Sequence, residues 1–293
     1  MRKVKRVRAL AYMLLFVLAA FPQLANAAAP LDASERILLW PNGVPGFEGP
    51  DSRPEVAKDY YVRQIDSPSL TLFRPSVETQ NGTAVIILPG GGHRLLVINS
   101  EGNDAARFLA ERGVTVFVLR YRLFREEDSP YSINDARLDT ECAIRLVRQN
   151  ASDYGTLPDK IGIMAFSAGG ELARMALLGP QLLAAEPEGD GRPDFGILIY
   201  PGPLKAEPES VGPNAPPLFL VATNDDECCA TPVVEMLNLY RSVYASVELH
   251  LYARGGHAFN MGQRTDNVGL ARWPERLEEW MRDSSLLSKK AQD

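Results

Sequence analysis

The chain has 293 residues, 45% of them hydrophobic and 23% charged, an ordinary globular composition with apolar side chains enough for a sizeable core. It carries 31 basic and 37 acidic residues, a formal charge of −6. That acidic balance excludes a nucleic-acid or anionic-lipid partner held by a general electrostatic footprint.

In chain order, Met1 to Arg8 holds Arg2, Lys3, Lys5, Arg6 and Arg8 with no acid. An apolar run, Ala9 to Phe21, follows, and Ala25-Asn26-Ala27-Ala28 supplies small residues at the −3 and −1 positions of a cleavage site. This is the form of a secretory signal peptide over residues 1–27, removed to leave a single domain over 28–293. The expected location is secreted or periplasmic. The alternative is an uncleaved anchor, but the run is short for a bilayer and no other stretch could span one, so no stable membrane insertion is expected after cleavage. Cleavage takes the formal charge from −6 to −11.

Ala28 to Gly49 is rich in Pro and Gly and reads as an irregular surface leader. From about residue 70 the pattern alternates. Strands are expected at Leu70–Phe73, Ala84–Leu88, Thr115–Leu119, Ile161–Ala165, Ile197–Tyr200, Leu218–Ala222 and Val247–Leu251. Helices are expected at Asn103–Arg112, Ile133–Asn150, Ala168–Leu178, Pro232–Ala245 and Trp273–Arg282. The strands are largely continuous apolar runs, as in strands covered on both faces. Alternation of this kind predicts an α/β fold with a mostly parallel sheet and helices on both faces. In such sheets chemistry sits at the carboxyl ends of the strands.

Three cysteines, Cys142, Cys228 and Cys229, make no disulfide framework. Cys228 and Cys229 are adjacent and not expected to join each other; whether one reaches Cys142 is open. No spacing of His, Cys or carboxylates resembles a metal site, and no nucleotide fingerprint is present, so neither metal nor organic cofactor is expected.

The chemistry-bearing residues fall in strand-to-helix turns. Ile161-Gly-Ile-Met-Ala-Phe-Ser167-Ala168-Gly169-Gly170 runs strand, sharp turn, helix. It has the form of a nucleophile elbow, in which the residues two before and two after the serine must be tiny; here they are Ala165 and Gly169. A serine hydroxyl needs a base. Of the three histidines, His250 lies within a strand, whereas His257 lies in the Gly-rich loop Arg254-Gly-Gly-His-Ala-Phe259 after the last strand. The base needs a carboxylate to hold its tautomer. Strand Leu218–Ala222 leads to Asp225 and Asp226, and counting from its end favours Asp226. The order Ser, Asp, His is that of the nucleophile-elbow hydrolases. Pro89-Gly90-Gly91-Gly92-His93 places three glycines after another strand. The amides of Gly91 and Gly92, with that of Ala168, form a candidate oxyanion hole. A phosphate-binding loop is the competing reading, but no Lys-Ser/Thr pair follows. His93 is expected at the mouth of the site, in reach of substrate.

Pro-Gly-Gly-Gly-His, Phe-Ser-Ala-Gly-Gly, Asn-Asp-Asp and Gly-Gly-His-Ala-Phe, in this order, resemble the α/β-hydrolase superfamily. The likeness is greatest to its acetylxylan-esterase-like and hormone-sensitive-lipase-like carbohydrate esterases. Leu39-Trp-Pro-Asn-Gly-Val-Pro and the block Gly113 to Leu123 add to it. The resemblance covers about residue 37 to 282. Departures are Ala165 for the usual Gly, His93 where an aromatic is commoner, and Glu171 where His is frequent. It implies a serine carboxylesterase that removes acetyl or other small acyl groups from carbohydrate esters of the xylan type, through an acyl-enzyme on Ser167. The Pro-rich segment Pro201–Pro217 is short for a large lid, which suits a bulky polymeric substrate. Alternatives are a prolyl-oligopeptidase-like serine peptidase, for whose propeller the chain is short, and an inactive hydrolase fold that serves in binding.

Overall fold

A computed structural model describes residues 35–47, 53–179, 182–183, 190–203 and 211–288. The expected signal peptide and part of the Pro201–Pro217 segment lie outside the described residues. Among the described residues ten strands form an eight-stranded sheet and a two-stranded ribbon. In chain order the strands are β1 (Glu35–Leu38), β2 (Val56–Lys58), β3 (Tyr61–Arg63), β4 (Ser69–Phe73), β5 (Ala84–Leu88), β6 (Thr115–Arg120), β7 (Ile161–Phe166), β8 (Phe195–Ile199), β9 (Leu218–Thr223) and β10 (Val247–Tyr252). The α-helices are α1 (Asp104–Ala110), α2 (Ile133–Gln149), α3 (Ala168–Leu178), α4 (Ala230–Ser242), α5 (Val268–Ala271) and α6 (Trp273–Asp283).

The sheet order is β1-β4-β6-β5-β7-β8-β9-β10. Only β1 against β4 and β4 against β6 run antiparallel; the other neighbours are parallel. Strands β4, β5, β7, β8 and β9 are buried at every position. Such strands are covered on both faces, which is why their sequences run apolar instead of alternating.

The order around β5 positions the site. From β5 the chain passes through α1 to β6 on one side, then through α2 to β7 on the other, with Leu88 of β5 level with Ala165 of β7. The loops leaving adjacent carboxyl ends therefore diverge, and a crevice opens where the winding reverses.

Two expectations are corrected. The leader Ala28–Gly49 is not wholly irregular: Glu35–Leu38 pairs with β4 as an antiparallel edge strand. Its four residues, Glu-Arg-Ile-Leu, are mostly exposed and lack the buried run of the central strands. The segment is anchored by Trp40, whose indole N–H donates to Asp139 at 2.8 Å. Asp139, fully buried on α2, also accepts from the backbone and guanidinium of Arg122 at 2.8–3.0 Å. Two blocks distant in sequence thus meet on one buried ion pair. Second, Cys228 and Cys229 are joined to each other, and Cys142 is free, its Sγ 3.6 Å from the Leu39 carbonyl. The sharp turn before α4 brings the neighbouring sulfurs to the same side, where strand-like spacing would separate them.

Among the described residues no helix is long and apolar enough to cross a membrane.

Candidate active site

The turn from β7 into α3 places Ser167 at φ 47° and ψ −118°. This sparsely populated region costs a non-glycine residue about 1–3 kcal/mol and persists only where surroundings over-determine it. They do here. The Ser167 amide donates to Ile199 O at 3.1 Å, and its carbonyl accepts from Gly170 and Gly202, each at 2.8 Å. The neighbours are small for a reason of space. A Cβ on Gly169 would stand 2.2 Å from the Leu88 carbonyl oxygen, so strand β5 and helix α3 approach too closely for any side chain there.

The Ser167 hydroxyl lies 2.9 Å from His257 Nε2, and His257 Nδ1 lies 2.7 Å from Asp226 Oδ2. A carboxylate only accepts, so Nδ1–H donates to Asp226 and Nε2 is left to accept the serine proton. Asp226 is 5% exposed. Its second oxygen accepts from the Cys228 and Cys229 amides at 3.1 and 3.2 Å, which fixes its rotamer. Asp225 faces elsewhere, accepting from the Gly255 and Gly256 amides at 2.9–3.2 Å. Those bonds, Gly256 first, hold its exposed carboxyl below the usual carboxylate range. Asp225 thus shapes the loop that carries His257 without touching the imidazole.

The Gly90–Gly92 run leaves β5 beside this turn. Gly90 is so near the serine that a Cβ on it would stand 2.8 Å from Ser167 Cβ. The Gly91 and Gly92 amides bond no acceptor among the described residues. With the Ala168 amide at the N-terminus of α3, they are donors available to a developing oxyanion.

His93 is placed otherwise than expected. It does not line the mouth: it is 0% exposed, at φ 58°, its ring 4.5 Å from that of Phe124 and 6.0 Å from that of Tyr121. Its Nε2 is 3.4 Å from Glu171 on the buried side of α3, and Arg125 reaches the same carboxylate at 3.8 Å. The left-handed turn that ends the glycine run swings the imidazole inward beneath the loop. The departures at 93 and 171 are therefore packed against each other.

Two side chains that the sequence did not single out stand behind the row. Glu101 belongs to a π-helical turn, Ile98–Asn103, and is 3% exposed. It bonds the Gly90 amide at 2.7 Å and the Tyr200 hydroxyl at 2.9 Å. Tyr200 stacks edge-on to His257 at 4.7 Å. Nothing in the string Asn99-Ser-Glu-Gly-Asn103 signals an inward carboxylate.

Asp226, Cys228, Cys229 and His257 bring ligand atoms within 4.8 Å of one another. They do not fit a metal: the sulfurs are bonded together, and the carboxylate and imidazole already engage each other and the serine.

Comparison with known proteins bears on this arrangement. A family described as BD-FAE matches residues 70–184, which carry the glycine run and the serine turn. Among solved structures, the acetyl ester-xyloside bifunctional hydrolase of Caldicellulosiruptor lactoaceticus superposes with a TM-score of 0.71 at 23% identity, over 89% of this chain and 100% of that one. A thermophilic esterase of Thermogutta terrifontis with butyrate bound gives 0.67 at 22% identity, over 77% and 92%. This is the α/β-hydrolase fold. In sequence, the acetylxylan esterase of Xylanibacter ruminicola is 28% identical over 239 residues, 71% of this chain and 47% of that protein. The para-nitrobenzyl esterase of Bacillus subtilis is 29% identical over 108 residues, 34% of this chain and 22% of that one. The chain thus spans less than half the length of these curated relatives. Within the α/β-hydrolase fold, Ser167 occupies the elbow after a central strand, Asp226 follows β9, and His257 follows β10.

Proposed function

We propose that the protein is an exported serine carboxylesterase that removes acetyl or similar small acyl groups from carbohydrate esters. The observation that carries this is the row Ser167–His257–Asp226 at 2.9 and 2.7 Å, with the serine in a strained elbow. In the proposed cycle His257 takes the proton of Ser167 as the hydroxyl attacks the ester carbonyl. The amides of Gly91, Gly92 and Ala168 bear the developing oxyanion, each donor worth about 3 kcal/mol. The imidazolium, stabilised by Asp226, then protonates the leaving alcohol, and an acyl group remains on Ser167. Water activated by His257 releases it.

The likeness to the Xylanibacter ruminicola acetylxylan esterase and to the acetyl ester-xyloside hydrolase supports the carbohydrate acetyl ester as substrate class. The half-exposed His257, 35% accessible at its side chain, supports an alcohol portion too large for an enclosed tunnel. Export rests on the signal-peptide form of residues 1–27.

The test is turnover on acetylated xylan, acetylated monosaccharides, feruloyl esters and prolyl peptides, with and without Ser167→Ala. Acetate release from the carbohydrate esters, abolished in the variant, supports the reading. Cleavage of the peptides alone, or turnover undiminished in Ser167→Ala, overturns it.

A further inference from the structure

Among the buried carboxylates that the proposed ester chemistry leaves unused, Glu101 bonds the loop beside the serine. Glu101 reaches inward because its turn is π-helical, a form rare in proteins and concentrated at functional positions. Its Oε2 accepts the Gly90 N–H at 2.7 Å and its Oε1 the Tyr200 hydroxyl at 2.9 Å. The Gly90 backbone is wedged: a Cβ there would stand 2.8 Å from Glu101 Oε2 on one side and 2.8 Å from Ser167 Cβ on the other. Tyr200, at φ 36° just after β8, sets its ring edge-on to His257 at 4.7 Å and to Phe259 at 4.6 Å.

We propose that Glu101 is a positioning residue of this site, fixing the oxyanion loop with one oxygen and the ring beneath the catalytic histidine with the other. The inference rests on the serine-hydrolase reading above. Its physical ground is the donor count. Gly90 N–H and Tyr200 O–H are both buried donors aimed at one point, and only a carboxylate accepts at both ends. Burial pushes the Glu101 carboxyl upward, whereas the Gly90 and Tyr200 bonds and the nearby His257 and Arg264 favour its charged form. A buried acid with no partner would be purely unfavourable. With these partners it makes the distance between the glycine run and the histidine a fixed quantity, and oxyanion stabilisation depends on that distance.

The substitutions Glu101→Leu, Glu101→Gln and Tyr200→Phe, with kcat, KM and thermal unfolding measured for each, test this. Leucine fills the space without hydrogen bonds. Glutamine can accept from Gly90 and donate to the Tyr200 oxygen, whose own proton then turns to Asn260 Oδ1, 3.3 Å away. Misplaced oxyanion donors cost transition-state stabilisation alone, so Glu101→Leu is expected to lose about 100-fold in kcat. Its KM should stay within about threefold, as for interactions made only in the transition state. Glu101→Gln should lose about tenfold less than the leucine variant, because both bonds survive. Tyr200→Phe should lie between them.

A folded Glu101→Leu with unchanged kcat, or one as active as Glu101→Gln, overturns the proposal, since packing alone would then suffice. So does a loss seen only in KM. If the leucine variant does not fold, Tyr200→Phe decides: an unchanged kcat there sinks the coupling. A wild-type protein that hydrolyses no ester and takes no fluorophosphonate on Ser167 would overturn the underlying reading instead.

Discussion

The two sides of the site are held by different physics. On the side of the proposed nucleophile, Ser167, backbone is packed against backbone. Gly169 admits no Cβ because Leu88 O would be 2.2 Å away, and Ser167 is locked by three main-chain hydrogen bonds. On the base side, the loop from Arg254 to Phe259 is largely exposed and tied by single side chains. Asp225 holds two of its amides, Thr223 donates to the Gly256 carbonyl at 2.8 Å, and Asn267 donates to the Arg254 carbonyl at 3.1 Å. Packing constraints forbid alternatives outright; hydrogen-bond ties only disfavour them. The nucleophile side should therefore be intolerant of added atoms, and the base side should respond to lost polar groups.

The largest expected effects lie where the two sides meet. Ser167→Ala and His257→Ala should each lower kcat by about 10⁵-fold or more, with the double variant hardly worse, because members of one unit fail non-additively. Steady-state kinetics on an acetyl ester checks this, and additive losses would separate the two residues. Next, Asp226→Asn should cost about 10⁴-fold, because the imidazole loses the carboxylate that holds its tautomer and stabilises its charged form. Asp225→Asn should cost under about tenfold, since it touches the loop and not the imidazole. The reverse ranking in kcat, with both proteins folded, would exchange their roles.

This contrast also explains what was legible in the sequence. Steric constraints leave a mark, because a tight turn admits only small residues: Ala165, Gly169 and the Gly90–Gly92 run point to the elbow and its facing loop. Buried parallel strands leave a mark as well, and β4 to β10 lie within two residues of the expected runs. Hydrogen-bond ties leave almost none. Asp225 and Asp226 differ by one position, and only the turn after β9 decides which meets the histidine. The inward set of Glu101 depends on a π turn that no periodicity announces. His93 looked like a mouth residue because it ends a glycine run, yet its left-handed φ turns it inward. The mostly exposed edge strand β1 escaped because it is short and sits in a Pro- and Gly-rich leader, and the joining of Cys228 to Cys229 because their turn is not visible as a pattern.

A smaller effect sharpens the comparison on stability. Gly169→Ala puts a methyl group into a backbone oxygen and should cost about 3 kcal/mol or more, the upper end of the range for overpacking. For a domain of this size that is a fall in Tm of about 6–12 °C. Gly256, at φ 64° in the histidine loop, has no atom within 4 Å of an added Cβ. Gly256→Ala should therefore cost only the left-handed strain, about 1–2 kcal/mol. Thermal unfolding of both variants is the measurement. If Gly256→Ala is the more destabilising, the base side is as tightly packed as the nucleophile side and the contrast fails.

The smallest expected effect concerns pH. The Asp225 carboxyl is held below the ordinary aspartate range by the Gly256 and Gly255 amides, its two largest influences. A group whose pKa is lower folded than unfolded contributes stability that is present above the unfolded value, about 3.9, and lost as pH falls through the folded one. The difference in Tm between the wild type and Asp225→Asn should therefore be largest near neutrality. It should shrink from about pH 4 downward and vanish once both states are protonated. Because the carboxyl is exposed, solvent screens it and added salt should reduce the difference throughout. The other lowered carboxyls, Asp66 beside Arg53, Glu78 at its own backbone amide and Glu278 beside Arg282, are common to both proteins and cancel in the comparison. A Tm difference that stays constant down to about pH 2 would mean that the Asp225 charge is not what ties the histidine loop. The loop would then be held by Thr223, Asn267 and the His257 bonds to Asp226 and Ser167 without help from the Asp225 charge.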